Sequence, residues 1–481
     1  MKAEHRQFYE DVNDALQSNS LALFAGAGLS KSAGYVDWKN LLRSIATDLG
    51  LDIDRESDLI SIAQYNVNKV GGRSMLNKKI IDEFNEDVEL TENHKILARL
   101  PISTYWTTNY DELIERSLKD AKRIADVKHT IEQLNFSKPR RDAVVYKMHG
   151  DQNHPNDAVI TKDDYESYFS DKLPFVNALS GDLVSKLFLF IGFSFTDPNL
   201  DYILSRVRLQ MRTAQRHHWY IIKRVARTDW GIKTDEDFLY QKAKQEHFIA
   251  DLKRFKLLPV FVDTYEEITE VLKEIESIFK KQTVFISGSA EEYGSWSHNE
   301  AQSFIHKLSG RLIREGYRVI NGFGLGVGSA VINGALEEIY RRPDRYNENL
   351  LIIKPFPQFA TGGKELPELW NEYRREMLKY AGIALYIFGN KLNPDKPGER
   401  EIINAQGVKK EFDIAQEYGI IQIPVKGTGY MSKELSDLVE GNNFGTQPTS
   451  KLFELYKVLA EQDQPDKIID GIISVLNEIN K

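Results

Sequence analysis

The sequence predicts two doubly wound α/β units in tandem. Short apolar runs alternate with stretches of helical periodicity along the whole chain. Glycine, asparagine and histidine fall just past the ends of those runs, where open parallel sheets carry their functional residues. A second strand-then-glycine opening begins at Thr283, directly after Lys280-Lys281-Gln282. Together these place residues 1–280 and 283–481 in separate Rossmann-like domains.

The elements follow in order. Residues 6–18 have helical spacing and lead into the strand Leu21 to Ala25, which glycine stops. A second helix is expected from Asp37 through Leu49, with further helices to residue 100. Ile102 to Thr107 reads as the next strand, and residues 116–142 as a charged, mixed stretch. Val144 to Met148 is a strand that delivers His149 at its end. Leu187 to Gly192 and Val260 to Val262 are further strands, the last followed by a helix from Glu266 to Phe279. In the second half the expected strands are Thr283 to Ser287, Tyr317 to Asn321, Leu350 to Lys354, Ala384 to Phe388 and Ile420 to Val425. Helices are expected from about Asn299 to Glu315 and from Ala330 to Tyr340. There is no internal repeat and no low-complexity tract.

Composition bounds the function. A chain of 481 residues, 41% hydrophobic and 28% charged, is long enough for two buried cores. A net charge of -8 argues against broad binding to nucleic acid or to an anionic membrane. With no cysteine, disulfides, thiolate metal sites and cysteine nucleophiles are excluded, and no metal site is expected. Met1 to Leu16 lacks the apolar core of a signal peptide, and the apolar run from Leu187 to Phe195 is too short to span a bilayer. A cytoplasmic location is expected.

Four short motifs carry the chemistry of the first half. Gly26-Ala27-Gly28-Leu29-Ser30 stands where a strand turns into a helix and lets backbone amides approach a pyrophosphate; the alternative is a tight turn without ligand. Ser30 either bonds a phosphate or caps the next helix. Thr107-Thr108-Asn109-Tyr110-Asp111 lies past a strand. Asn109 donates and accepts at once, so it suits a ribose hydroxyl and a water, while Asp111 suits holding the loop. His149-Gly150 offers a base whose ordinary pKa lies near working pH. Gly192-Phe193-Ser194 is followed by Asp197-Pro198, a helix start.

In that order the motifs resemble the sirtuin family, over roughly residues 15–275. The resemblance implies NAD cleavage between nicotinamide and ribose, with Asn109 and His149 catalytic. Ala25, Gly26, Ala27, Gly28, Ser30, Thr108, Asp111, Gly192 and Ser194 would hold NAD, which is substrate rather than cofactor. Three departures matter. Thr108 stands where deacetylases usually have glutamine, Phe193 replaces a threonine, and the four-cysteine zinc ribbon is missing. These point away from an acetyl-lysine substrate. Hydrolysis itself needs only a positioned ribose, a stabilised oxocarbenium-like centre and a water.

The second half carries Ser287-Gly288-Ser289-Ala290 after a strand, and a loop from Gly322 to Ser329 with glycine at positions 322, 324, 326 and 328. Such a loop brings amides and a helix N-terminus to a phosphate, or else packs a helix closely on a sheet. The pair of segments resembles the SLOG family of nucleotide-binding domains. Gly288, Ser289, Gly324, Gly326 and Gly328 would line that site. Arg374 and Arg375 on a helix and Lys391 past a strand are basic groups for phosphates. Glu411, read as the start of a helix, either accepts a ribose hydroxyl or favours the helix dipole. The Pro-Gly-Gly-x-Gly-Thr loop of nucleobase-releasing relatives is absent, so this domain reads as a sensor.

A sirtuin-like domain followed by a SLOG domain is similar to the effector family of Thoeris antiphage defence. The family implies an NAD hydrolase, a homotetramer, activated when a cyclic ADP-ribose isomer made by a TIR-domain protein binds the SLOG pocket through Arg374 and Lys391. No nucleic-acid or membrane partner is implied. Two other classes stay open at this point: a sirtuin-type protein deacylase, and a non-catalytic nucleotide-binding module.

Overall fold

The computed structural model describes residues 3–84, 88–396, 398–441 and 450–481. By internal contacts the chain divides into two units, Met1–Glu276 and Ser277–Lys481.

The first unit is a seven-stranded parallel sheet. Its strands are β1 (Leu21–Ala25), β2 (Thr104–Thr107), β3 (Ala125–Lys128), β4 (Ala143–Lys147), β5 (Leu187–Ile191), β6 (His218–Lys223) and β7 (Leu257–Val262). They lie in the order β3-β4-β2-β1-β5-β6-β7. β1 and β5 are buried at every residue, because both sheet faces are covered, and they accordingly read as unbroken apolar runs. The strands β2 to β4 all lie on one side of β1, and β5, β6 and β7 follow on the other. The switch point therefore falls between β1 and β5, and the ends of these two strands form the crevice where such sheets bind ligands.

Two of these strands were not expected from the sequence. β3 lies in the charged stretch 116–142. It is an edge strand whose alternate residues are buried, and its Lys128 and Asp126 pair at 2.8 Å rather than facing water. β6 opens on His218, a fully buried histidine whose Nδ1 accepts a hydrogen bond from the Phe188 amide of β5 at 3.2 Å. The helix expected over 37–49 is two, Trp38–Leu41 and Arg43–Asp48, meeting at Leu42 with φ −89° and ψ −1°. Between β1 and β2 these and two longer helices, Leu59–Val70 and Ser74–Phe84, share a core of Tyr35, Leu42, Ile45, Ile62, Leu76 and Ile80.

The second unit is a five-stranded parallel sheet, across which lie Leu351–Ile353, Arg318–Asn321, Thr283–Ser289, Ile383–Phe388 and Ile421–Pro424 in that order. Its strands are β8 (Thr283–Ser289), β9 (Arg318–Asn321), β10 (Leu351–Ile353), β11 (Ile383–Phe388) and β14 (Ile421–Pro424). A two-stranded antiparallel hairpin, β12 (Asn390–Leu392) with β13 (Ile402–Asn404), leaves the end of β11. Here the switch point lies between β8 and β11. The helix Glu267–Lys281 runs directly into β8. No helix among the described residues is long and apolar enough to cross a membrane.

Candidate functional site

At the switch point of the first unit the Gly26 loop and the Gly192 loop touch backbone to backbone. The Gly26 amide donates to Ile191 O at 2.9 Å and the Gly28 amide to Gly192 O at 2.8 Å. A Cβ at Gly28 would sit 2.8 Å from Gly192 Cα, and Gly192 itself has φ +66°. These glycines thus serve the close approach of two strand ends. Ala25 is buried, its carbonyl accepting from Thr107 Oγ1 at 2.9 Å, while Ala27 and Gly28 are the part of the loop that reaches solvent.

Asn109 is oriented by that loop. Its Nδ2 donates to Gly26 O at 3.1 Å and to Ser30 Oγ at 2.8 Å, and its own amide donates to Thr107 Oγ1 at 3.0 Å. The Ser30 hydroxyl donates to Asp111 Oδ2 at 2.6 Å, and Asp111 Oδ1 accepts from the Leu113 amide. Both Ser30 and Asp111 are buried. With the amide hydrogens spent inside the protein, the Asn109 carbonyl oxygen is the group left to accept from a hydroxyl or a water. Thr108 beside it is half-buried, and Ser194 is exposed, bonded to Thr196 at 2.8 Å.

His149 stands at the end of β4, next to β2. Thr107 pairs with Lys147 in register, so Asn109 and His149 each lie two residues beyond paired positions on neighbouring strands. The imidazole is buried; Nε2 lies 3.2 Å from Asp197 Oδ2, and Tyr165 and Tyr168 stand edge-on to the ring, centroids 5.5 and 6.2 Å away. Burial pushes its pKa below the usual histidine value, opposed by the Asp197 charge, so it is held as a neutral base.

The second unit repeats the logic of its switch point. A Cβ at Gly324 would fall on Gly288 O, and one at Gly326, φ +67°, on Ala290 O, so the glycine loop lies flat on the end of β8. The Ala290 amide donates to Leu325 O at 2.7 Å, and the helix Gly328–Arg341 starts from the loop. Glu411 is not at a helix start: it lies midway along the helix Gln406–Glu417, buried, accepting from Ser287 Oγ at 2.5 Å. Burial raises its carboxyl pKa, against the pull of Arg374. Arg374, on the helix Leu366–Leu378, is nearly sealed and packs over Phe356 at 4.9 Å. Arg375 instead pairs with Glu417 at the surface. Lys391 is half-buried within β12 rather than on an open loop; the carbonyl of its neighbour Asn390 accepts from Ser289 Oγ at 3.0 Å. Gly288, Ser289, Arg374 and Glu411 thus gather around the end of β8.

Comparison with known proteins bears on both sites. Residues 103–249 match the SIR2-like domain, and residues 267–479 match the Sir2- and TIR-associating SLOG family. The NAD(+) hydrolase ThsA of Bacillus cereus (strain MSX-D12) is 48% identical over 472 residues, covering 98% of this chain and 97% of that one. This chain belongs to the ThsA family. The ThsA of Acinetobacter baumannii (strain 532279) is 46% identical over 99% of this chain and all of its own length. That of Cytobacillus dafuensis is 49% identical over 90% of this chain and 88% of its own. ThsA membership accounts for the tandem of a SIR2-like and a SLOG domain.

Sequence reasoning about this ThsA-family chain missed Lys147. It is wholly buried in β4, and Nζ donates to Tyr110 O at 3.1 Å, Asp111 O at 2.7 Å and Asp151 Oδ2, with Glu115 Oε1 3.3 Å away. The signal was an ionisable residue inside the otherwise apolar run from Val144 to Met148. Asp197 was read only as a helix cap, which it is, but its second oxygen faces His149.

Proposed function

We propose that the chain hydrolyses NAD to nicotinamide and ADP-ribose at the end of its first sheet, and that a cyclic ADP-ribose isomer bound by the SLOG unit turns that activity on. The observation that carries the first half is the placement of Asn109 and His149 beyond the ends of the adjacent strands β2 and β4, on one side of the switch point between β1 and β5. The nicotinamide leaves as a neutral ring from a pyridinium, so departure needs no proton. Asn109 Oδ1, its amide hydrogens already spent, accepts from a ribose hydroxyl or from the attacking water. His149, neutral in its buried setting, takes the proton that the nucleophile releases.

The sensor reading rests on the sealed Arg374, the flat glycine loop and family membership. Arg374 and Lys391 grip the activator's phosphates, one as a planar fork and one as a point charge. The activator shifts the resting equilibrium by its preference for the active state. In the cell this reading makes the chain a homotetrameric antiphage effector, answering a TIR-domain protein and depleting NAD. Measuring NAD consumption by the purified chain with and without cyclic ADP-ribose isomers tests both halves. Nicotinamide release that depends on an acylated peptide marks a deacylase instead, and NAD binding without turnover marks a binding module.

A further inference from the structure

Asp197 does more than a helix cap requires. Oδ1 accepts from the Leu200 amide at 2.9 Å and caps the helix Pro198–Met211. Serine, threonine or asparagine caps as well, and without bringing a full charge into the interior. Asp197 nonetheless keeps only 10% of its side chain exposed and turns Oδ2 inward, 3.2 Å from His149 Nε2, where the Tyr165 hydroxyl also donates to it at 3.3 Å.

We infer that Asp197 is the positioning residue for His149: its carboxylate stands at ion-pair distance from Nε2, which has no other hydrogen-bond partner among the described residues, and holds that nitrogen's proton once the ring is charged, so that Nδ1 is the nitrogen that acts as base. This rests on the reading of His149 as the catalytic base. In the step itself one proton moves from the nucleophile's oxygen to Nδ1, and the imidazolium so formed is balanced by the Asp197 carboxylate. Among the other groups facing the ring, Tyr165 and Tyr168, from the helix Lys162–Asp171, are held protonated by burial, and Asp164 on the same helix also favours the charged ring, but less than Asp197 does and while paired with Arg73 at 2.5 Å. Asp197 also sits on the loop that carries Gly192 and Ser194 from the end of β5. The contact therefore ties the ring on β4 to the opposite side of the switch point.

Asp197→Asn separates the two roles, because asparagine keeps the cap and loses the charge, whereas Asp197→Ala loses both. The experiment uses full-length protein with cyclic ADP-ribose isomers as activator probes, and reads NAD turnover against pH alongside thermal melting. The imidazole carbon resonance of His149, identified by its loss in His149→Ala, supplies a readout independent of turnover. Asp197→Asn is expected to melt with the parent and to lose about 10- to 100-fold in kcat with little change in KM. Its acid limb and the His149 resonance should both titrate about one pH unit lower, as removal of a close opposite charge dictates. Parental kcat and an unmoved resonance in Asp197→Asn, with His149→Ala inactive, overturn the inference and leave Asp197 a cap. If His149→Ala turns over NAD at the parental rate, the reading of His149 falls instead.

Discussion

Arg374 Nε lies 3.4 Å from Glu411 Oε1, with about nine-tenths of each side chain buried. Glu411 spends its other oxygen on Ser287, so the arginine is the carboxylate's counter-ion and, on the proposed sensor reading, also the arm offered to an activator. The two basic residues assigned to the sensor should therefore fail differently. Lys391→Ala should need about 10- to 100-fold more cyclic ADP-ribose isomer for half-activation and melt like the parent. Arg374→Ala should show the same loss and also melt lower, because removing one partner of a buried pair costs roughly 3–5 kcal/mol. In Arg374→Met/Glu411→Gln the melting temperature should recover in part while activation does not. Calorimetric titration and thermal melting on the same preparations check this; equal melting of both single variants refutes the dual role.

Asn109→Ala and His149→Ala should each lower NAD turnover by about two to four orders of magnitude. Neither should unfold the unit. Asn109 is half-buried and donates to groups on one neighbouring loop, and His149 is already neutral in the folded state. Circular dichroism and turnover measured together decide it. Parental turnover in either variant removes that residue from the mechanism.

The switch points were legible because β1, β5, β8 and β11 are buried on both faces, which writes continuous apolar runs ending in glycine into the sequence. β3 and β6 were not, because their charged and histidine residues are buried only by virtue of partners the fold brings to them, which strand periodicity does not encode: Asp126 by Lys128 at 2.8 Å and Arg141 at 2.7 Å, His218 by the Phe188 amide. The same holds within the sites. Asn109 and His149 stand out as polar residues after strands. That Ser30 is spent on holding Asn109, or that Glu411 faces Ser287 across 124 residues, follows only from the tertiary fold.

Acid should destabilise the first unit well above the pH at which carboxylates titrate. Burial lowers the pKa of His218 to about 3 and that of His94 to about 4. The unfolded chain binds protons on both near the ordinary value of about 6.5, while the folded chain does not. Stability is thus fully present above that value and falls as pH drops towards the folded pKa. His218 alone accounts for roughly 2 kcal/mol between pH 7 and pH 5. Chemical denaturation of the parent and of His218→Gln across that range measures it. The variant's curve should be flatter, and parallel curves would show that His218 is not the group responsible.

Lys147 should be the least replaceable charge in the first unit. Burial alone favours its neutral amine, but the charges of Glu115 and Asp151 outweigh that and raise its pKa, so the ammonium persists. It binds both carbonyls of the Tyr110-Asp111 turn, so it fixes the segment that carries Asn109. Lys147→Met preserves length and removes the charge, stranding two carbonyls and two inward carboxylates. The cost should be about 3–5 kcal/mol, or roughly 10 °C of melting temperature for a unit of this size. Lys147→Arg keeps the charge, but its wider fork does not fit a site with no exposed surface, so rescue should be partial. At temperatures where Lys147→Met remains folded, NAD turnover should still fall below the parent's, because the turn no longer holds Asn109 against Ser30. Melting curves paired with turnover at 20 °C provide the measurement. Melting of Lys147→Met within about 2 °C of the parent would mean that the attraction only balances the cost of burying the lysine.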